Sequence, residues 1–495
     1  MHSSYPLRPA ASLAVAFGFF LAGCAPSGQV AVERPSSEQI PSWSPYGSIR
    51  AGLDHLLPDT LFPPASVGMK IVSLRTGETL YALHADEVFL PASNEKLLTS
   101  AAALSTLGEG YLFATRVFVD TTGTARIYLK GSGDPQLTTA DIDSLARQIA
   151  TLLPPGRHWT LCADISLFDD VPWGKGWMWD DEPSTDAMFI SPLSVNGNSL
   201  RVKVTPASEA GAKPVVTLDP PTAYAPVECT AVTVDDSVAR PLEISRNWQD
   251  RSNTITVKGE ILRSASAATG GVSVRDPAWY ALTLFRESLA SQGVVGEGLL
   301  SDTVPSTATE LGCIERRLDT VVTKMNKVSD NLSAENLLRT ISVRRFGPPG
   351  TDALGVEAIL EFLAGRGIDT TAMVIADGSG VSRYNYVSPR ILVRLLEAMA
   401  QDSTHRGAWM YALPIAGVDG TLKDRMKGTE AEQNLRAKTG TLDGVTSLSG
   451  YVSTADGEPL AFSIMMQGIP ARLKQYRQVQ DRIGSFLSGL RRRNF

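Results

Sequence analysis

From about residue 116 to residue 317 the sequence changes texture, and this change limits the possible folds more than any single motif does. Short β-like runs there are broken by turn signals such as "GSGDP" at 131–135 and "VNGNS" at 195–199, with helical patches only near 139–153 and 277–292. The flanks differ. Before this stretch, "SVGMKIVSLRTGETLYALHAD" holds two apolar runs around Arg75-Thr76-Gly77 and reads as a β-hairpin. From Ser93 on, Leu97, Leu98, Ala101, Ala102, Leu104 and Leu107 recur at helical spacing. After the stretch, helical patterns run to about residue 402. They are followed by the β-like "NLRAKTGTLDGV", "SLSGYVS" and "PLAFSIMMQGI", and by an amphipathic helix from about Arg472 to Leu490. A hairpin first, helices next and strands last build one antiparallel sheet from both ends of the chain, covered by helices. The expected fold class is therefore α/β, with one domain made of residues 46–115 and 318–495. Residues 116–317 form a mostly β inserted region with a smaller subdomain near 200–265.

The first 45 residues belong to neither part. After Arg8, "PAASLAVAFGFFLAGC" is too short to span a bilayer comfortably and is placed like the apolar region of a secretory leader, giving a signal peptide over residues 1–23. Its Leu21-Ala22-Gly23-Cys24 ending resembles a bacterial lipobox, which implies cleavage before Cys24 and lipid on that cysteine; the bland alternative is an ordinary leader with a chance cysteine. Several acyl chains would exceed the two-signal threshold for stable anchoring. Ala25 after the cysteine resembles the class that is not retained in the inner membrane, so the outer membrane of a two-membrane bacterium is expected, with the body on the periplasmic side. Residues 24–45, rich in Pro, Ser, Gly and Gln, read as a tether with an r.m.s. reach of about 25 Å.

Composition excludes several classes. At 43% apolar and 20% charged residues, the body is ordinary for a folded domain. A net charge of -6, with Arg491-Arg492-Arg493 as its one basic run, gives no footprint for nucleic acid. Five scattered histidines show no metal-ligand spacing, so no metal or other cofactor is expected. No G-x-S-x-G elbow supports a Ser-His-Asp triad. Cys24 aside, three cysteines allow at most one bridge, and Cys162 with Cys229 is the expected pair because both lie in the middle region.

Ser93 and Lys96, in "PASNEKLLT", sit three residues apart at the head of an apolar helix. A serine hydroxyl is a poor nucleophile unless a neighbour accepts its proton. An amine at i+3 shares its helical face, and becomes a base if burial or another cation removes its own proton. The same helix end supplies free N–H groups for an oxyanion. The spacing alone is weak, because S-x-x-K arises about once by chance in such a chain and a serine at a helix start is commonly a cap. Yet of thirteen lysines, Lys96 alone has a serine three residues earlier. Ser329-Asp330-Asn331 stands before a helical pattern, and Lys438-Thr439-Gly440-Thr441 lies in a β-like run. Each has a bland reading, as a capping loop or a strand end. In this order, S-x-x-K, S-D-N and K-T-G form the set of class A β-lactamases and penicillin-binding proteins.

With these residues in place the chain resembles the class C low-molecular-mass penicillin-binding proteins, the D-alanyl-D-alanine carboxypeptidase/endopeptidase family. The resemblance spans "LPASNEKLLTSAAAL", "GSGDPQLT", "MNKVSDNLSAENLLR", "DGSGVSRYNYVSP", "LPIAGVDGTLKDRMKGT" and "AKTGTLDGVTSLSGYV". The 236-residue interval from Ser93 to Ser329 fits a family that inserts domains there, unlike a class A β-lactamase. It implies a penicillin-binding/β-lactamase-like transpeptidase fold acting on peptidoglycan stem peptides ending in D-Ala-D-Ala, with β-lactams as inhibitors. By the same resemblance Ser93 forms the acyl-enzyme and Lys96 is its base, while backbone N–H groups of Ser93 and Thr441 form the oxyanion hole. Ser329 and Lys438 relay a proton to the leaving amine, and Asn331 orients Lys96 and the substrate amide. Lys438, Thr439, Gly440 and Thr441 hold the substrate carboxylate, and Lys438 also depresses the pKa of Lys96 by like charge. Asp377-Gly378-Ser379 fit a tight turn that is either architectural or substrate-lining. In "WMWDDE" at 177–182 the tryptophans fit a small core, and Asp181 is either a surface aspartate or the partner of a diamino acid's free amine. A β-lactamase and a non-catalytic wall-binding or β-lactam-sensing lipoprotein remain the competing functions.

Overall fold

In the computed structural model the residues described are 49–57, 62 and 65–491, so the leader, the tether and Cys24 lie outside them. The sheet that carries the site has five strands in the spatial order Arg436–Leu442, Val445–Ser453, Pro459–Gln467, Ser66–Ser73 and Thr79–Leu83. Every neighbouring pair is antiparallel. Its central strands read as nearly unbroken apolar runs because both faces are covered. Along Pro459–Gln467, Leu460, Phe462, Ile464 and Met466 pack with Val479, Ile483 and Leu487 of the last helix, Leu473–Gly489. Ala461 and Met465 turn the other way, toward a helical layer that includes Leu392 and Leu396 of Pro389–Gln401.

The innermost member of that layer is Glu95–Leu107, whose residues from Glu95 to Leu104 are all buried. A helix apolar on nearly every side belongs in a core, and this one packs its alanines and leucines against Leu337, Leu338 and Ile341 of the helix Asn331–Phe346. The position of Ser93 is therefore fixed from beneath by a fully buried part of the core.

Residues 112–317 carry a second five-stranded sheet in the order Val295–Ser301, His158–Asp164, Arg126–Lys130, Leu112–Asp120, Thr309–Arg317. Helices Thr139–Ala150 and Pro277–Ser291 pack in its core through Ile142, Leu145, Tyr280 and Phe285. Thr138 and Asp141 form a capping box that starts the first of these helices. Further short strands between Ser199 and Ser273 make smaller sheets.

The expected Cys162–Cys229 bridge is absent. Cys162 is buried in the middle of the second sheet, opposite Tyr128 on one side and Leu300 on the other. Cys229 pairs with Val257 in a different sheet, and Cys162, Cys229 and Cys313 are all free. Shared position along the sequence did not translate into the few ångströms between Cβ atoms that a disulfide needs.

Candidate active site

The chain enters the site through a strained turn. Ala92 has φ +48°, in the left-handed region, a conformation that costs a non-glycine residue roughly 1–3 kcal/mol. Ser93 follows in the 3₁₀ turn Ala92–Asn94, and Asn94, not Ser93, occupies the cap position of the helix Glu95–Leu107. The serine is thus not an ordinary helix cap. Its hydroxyl accepts a hydrogen bond from Lys96 Nζ at 3.1 Å. Ser93 is half-buried while Lys96 is fully buried, so the hydroxyl lies at the boundary between core and solvent. Gly380, at φ +84°, lies against this turn so closely that a Cβ would collide with the Ala92 carbonyl.

Lys96 Nζ also donates to Asn331 Oδ1 at 2.6 Å and to the Ser379 carbonyl at 2.7 Å. Asn331 opens the helix Asn331–Phe346, which Asp330 caps by accepting from Ser333 N–H at 3.0 Å. Just before it, Ser329 ends the helix Leu318–Val328 in a left-handed conformation, φ +64°. Ser329 Oγ accepts from Lys438 Nζ at 2.9 Å, and Lys438 Nζ also donates to the Thr439 carbonyl. Lys438 lies in Arg436–Leu442, the edge strand of the first sheet. That strand is tied to the serine turn by Asn94 Nδ2 donating to the Lys438 carbonyl at 3.1 Å. Gly440 permits the approach: a Cβ there would strike Ser447 Oγ and the Pro91 carbonyl.

Ser93, Lys96, Ser329, Asn331 and Lys438, spread over 345 residues, therefore meet through two hydrogen-bonded lysine centres joined at the Asn94–Lys438 contact. Both lysines are fully buried. Burial brings the Lys96 pKa down to about 8, even though the carboxylates of Asp377, Glu335, Asp330 and Asp186 pull it upward. Burial also lowers Lys438, and there the charge of Lys96 adds to the effect. Like-charge repulsion acts on both amines, and the acids around Lys96 offset it there.

At the strand end, Thr439 Oγ1 donates to Thr421 Oγ1 at 2.8 Å. Thr441 Oγ1 accepts from an Arg477 guanidinium nitrogen at 2.9 Å. Among the described hydrogen bonds, Asp181 has none with these residues. Its carboxylate accepts from Met178 N–H at 2.7 Å, closing the turn Trp179–Asp181, and burial raises its pKa. The inserted segment nevertheless reaches the site, because Asn331 Nδ2 donates to the Asp186 carbonyl at 2.7 Å. Trp177 belongs to a small core with Ala187 and Ile190, and its Nε1 donates to Asp377 Oδ2 at 2.8 Å, whereas Trp179 is exposed.

Asp377 is the centre of the DGSG turn. Its carboxylate accepts from Trp177 Nε1, Ser379 Oγ, Gly380 N–H, Ser382 N–H and Asn385 Nδ2. Arg477, Asp186, Glu95 and Glu335 were not singled out from sequence. Glu335 had a usable signal, since it lies four residues after Asn331 and so on the same helical face; Arg477 had none. Among the described residues no cluster of three or more His, Cys, Asp or Glu side chains could hold a metal ion.

These two lysine centres on an edge strand and a core helix define a serine acyl-transfer site of the penicillin-recognising class. The chain belongs to the D-Ala-D-Ala carboxypeptidase 3 (S13) family, whose model matches residues 49–489. It is 36% identical over 441 residues to a D-alanyl-D-alanine carboxypeptidase of Actinomadura sp. (strain R39), covering 85% of this chain and 81% of that one. Its fold matches a crystal structure of penicillin-binding protein 4 from Haemophilus influenzae with a TM-score of 0.77 at 24% identity, over 89% of this chain and 99% of the other. A structure of that protein complexed with a novel β-lactam matches with a TM-score of 0.72 at 23% identity, over 90% and 100% of the two chains.

Proposed function

We propose that this serine D,D-peptidase hydrolyses the terminal D-Ala-D-Ala bond of peptidoglycan stem peptides through an acyl-enzyme on Ser93. The observation that carries the reading is the hydrogen bond from a fully buried lysine of lowered pKa to the half-buried Ser93 hydroxyl. Neutral Lys96 takes the Ser93 proton as Oγ attacks the penultimate D-Ala carbonyl carbon. Backbone N–H groups of Ser93 and Thr441 receive the oxyanion, and an edge strand is a natural source of such outward-facing groups. As the C–N bond breaks, the Ser329 hydroxyl gives its proton to the leaving amine and is reprotonated from Lys438. The charge just gained by Lys96 favours that donation, because like charge lowers the proton affinity of Lys438. Water then attacks the ester carbonyl, Ser93 Oγ leaves with the proton held by Lys96, and the proton lost by the water passes to Lys438, so both lysines regain their starting states as the shortened peptide is released. The substrate carboxylate is held by Lys438 with Thr439 and Thr441, and Gly440 keeps the strand close to the serine turn.

The same acylation serves a D-Ala to diamino-acid cross-bridge, which makes the chain a D,D-endopeptidase as well. Asp181, on the inserted segment that reaches Asn331, is the proposed partner of a free amine on the diamino acid. Cys24 is the proposed lipid attachment, placing the enzyme on the periplasmic face of the outer membrane. Labelling with radioactive palmitate that disappears in Cys24→Ala supports this placement, and an unlabelled chain in the soluble fraction refutes it.

Intact mass of the purified protein after incubation with benzylpenicillin tests the central reading. A single lasting adduct that maps to Ser93 and is absent in Ser93→Ala is expected. Rapid penicillin loss without a lasting adduct indicates a β-lactamase, and neither adduct nor turnover indicates a binding protein.

A further inference from the structure

Three carboxyl groups lie behind Lys96, two of which, those of Glu95 and Glu335, the acyl-transfer chemistry leaves without a task. Glu95, Glu335 and Asp377 are all fully buried. They come from three elements: the first turn of the Ser93 helix, the second turn of the Asn331 helix, and the Asp377–Gly380 turn. One short stretch of backbone threads between them and the base. Gly378 N–H donates to Glu335 Oε2 at 3.1 Å, the Gly378 carbonyl accepts from Thr99 Oγ1, and the next carbonyl, of Ser379, accepts from Lys96 Nζ.

The three differ in how they are satisfied. Asp377 has five hydrogen-bond donors. Neither oxygen of Glu95 has a partner, nor has Glu335 Oε1. A buried carboxylate with no partner, as that of Glu95, is too costly to keep ionised and retains a proton instead, whereas Glu335 is lowered by its hydrogen bonds to Gly378 and Ser379, which burial outweighs. Lys96 is faced by Glu335 and Asp330 of the Asn331 helix and its cap, by Asp377, by Asp186 of the inserted segment, and by Lys438 of the edge strand. Glu335 is faced by Asp377, Glu95, Lys96 and Asp352.

We infer that the buried carboxyls of Glu95 and Glu335, packed beside Asp377, are a proton store for Lys96, in which Glu335 is the positioning residue that sets the pH at which Ser93 becomes acylable. Burial, together with the charges of Asp377 and Asp352, pushes Glu335 up to about 8, the same range in which Lys96 gives up its proton. Glu95 is raised as well, first by burial and then by Asp377 and Glu335. In the protonated site Glu335 is a neutral acid and Lys96 an ammonium. The first proton to leave comes from Glu335, because the resulting carboxylate is stabilised by the ammonium beside it. That ion pair keeps Lys96 charged and inactive until the second proton leaves. The cluster therefore delays the base, and replacing Glu335 by a neutral amide removes the delay.

The inference rests on Lys96 being the base of Ser93, and the test separates the two. Second-order acylation by a fluorescent penicillin is followed from about pH 5 to about pH 10 for the full-length chain and for Glu335→Gln, Glu335→Asp and Lys96→Met. Glu335→Gln is expected to move the acidic limb down by about one pH unit, the lower end of the effect of one nearby opposite charge. Glu335→Asp is expected to restore most of the wild-type position. A limb left in place in a folded Glu335→Gln protein, with Lys96→Met inactive, overturns the inference alone. A Lys96→Met protein that acylates normally overturns the base assignment as well. Should Glu335→Gln fail to fold, the infrared band of a protonated carboxyl in the wild type decides. Its loss above the ordinary acid range but at a lower pH than the acylation limb supports the proton store, and a carboxyl band that titrates only in the ordinary acid range overturns it.

Discussion

Lys96 and Lys438 are the same residue, both fully buried and each hydrogen-bonded to a serine of the site, yet their surroundings are opposite in sign. Around Lys96 stand Asp377, Glu335, Asp330 and Asp186. Around Lys438 the charged neighbour is Lys96 itself, and its other hydrogen bond goes to a backbone carbonyl. Burial alone would make both lysines neutral bases. The acids give Lys96 a proton affinity near neutrality, and the like charge drives protons away from Lys438. The difference assigns direction to a proton path whose two ends are chemically identical: toward Lys96 from the nucleophile, and away from Lys438 toward the leaving group.

Removing the acceptor should break this comparison most severely. Lys96→Met is expected to slow penicillin acylation by about 10³-fold, within the usual range for a lost general base. A stopped-flow rate within a few fold of wild type would show that the two lysines are interchangeable. The next effect needs no mutation. A neutral amine is required and the neutral fraction rises with pH, so acylation should climb by about 100-fold between pH ~6 and pH ~9, levelling above about 8. A pH profile that falls over that range would reverse the assignment. Lys438→Met should cost about 10- to 100-fold in kcat on a D-Ala-D-Ala peptide, and the loss of its like charge should leave the acidic limb in place or move it up, never down. Smallest is Arg477→Ala, which should raise KM about fivefold to tenfold with kcat nearly unchanged. Its guanidinium orients Thr441 through one hydrogen bond, and losing a charge-assisted bond is typically worth about 1.5–3 kcal/mol at most.

The three motifs were readable from sequence because each is a short string whose chemistry is local: a serine and an amine one turn apart, a serine and an amide before a helix, a lysine in a strand. The sheet was readable too, since its central strands are apolar enough to be recognised wherever they fall in the chain. What stayed hidden depends on which elements are stacked in space. Glu95 was quoted within the first motif, but nothing in the string says that its carboxyl is sealed inside a core. Glu335 and Asp377, 42 residues apart, become neighbours only when the Asn331 helix packs beneath the DGSG turn. The acids that hold a proton on Lys96 stayed hidden for the same reason, because they lie on other elements. The Cys162–Cys229 pairing failed because two cysteines of one inserted region can lie in different sheets.

The edge strand that bears Lys438 is also among the last parts of the chain to be made. The ribosome must add 345 residues after Ser93 before that lysine exists, and at about 5–20 residues per second this takes roughly 17–70 s. For all of that time the serine turn lacks the strand that closes over it, and the Asn94 amide lacks the Lys438 carbonyl that anchors it. Function is thus withheld by order of synthesis: a truncated or half-made chain has the nucleophile but cannot have the site.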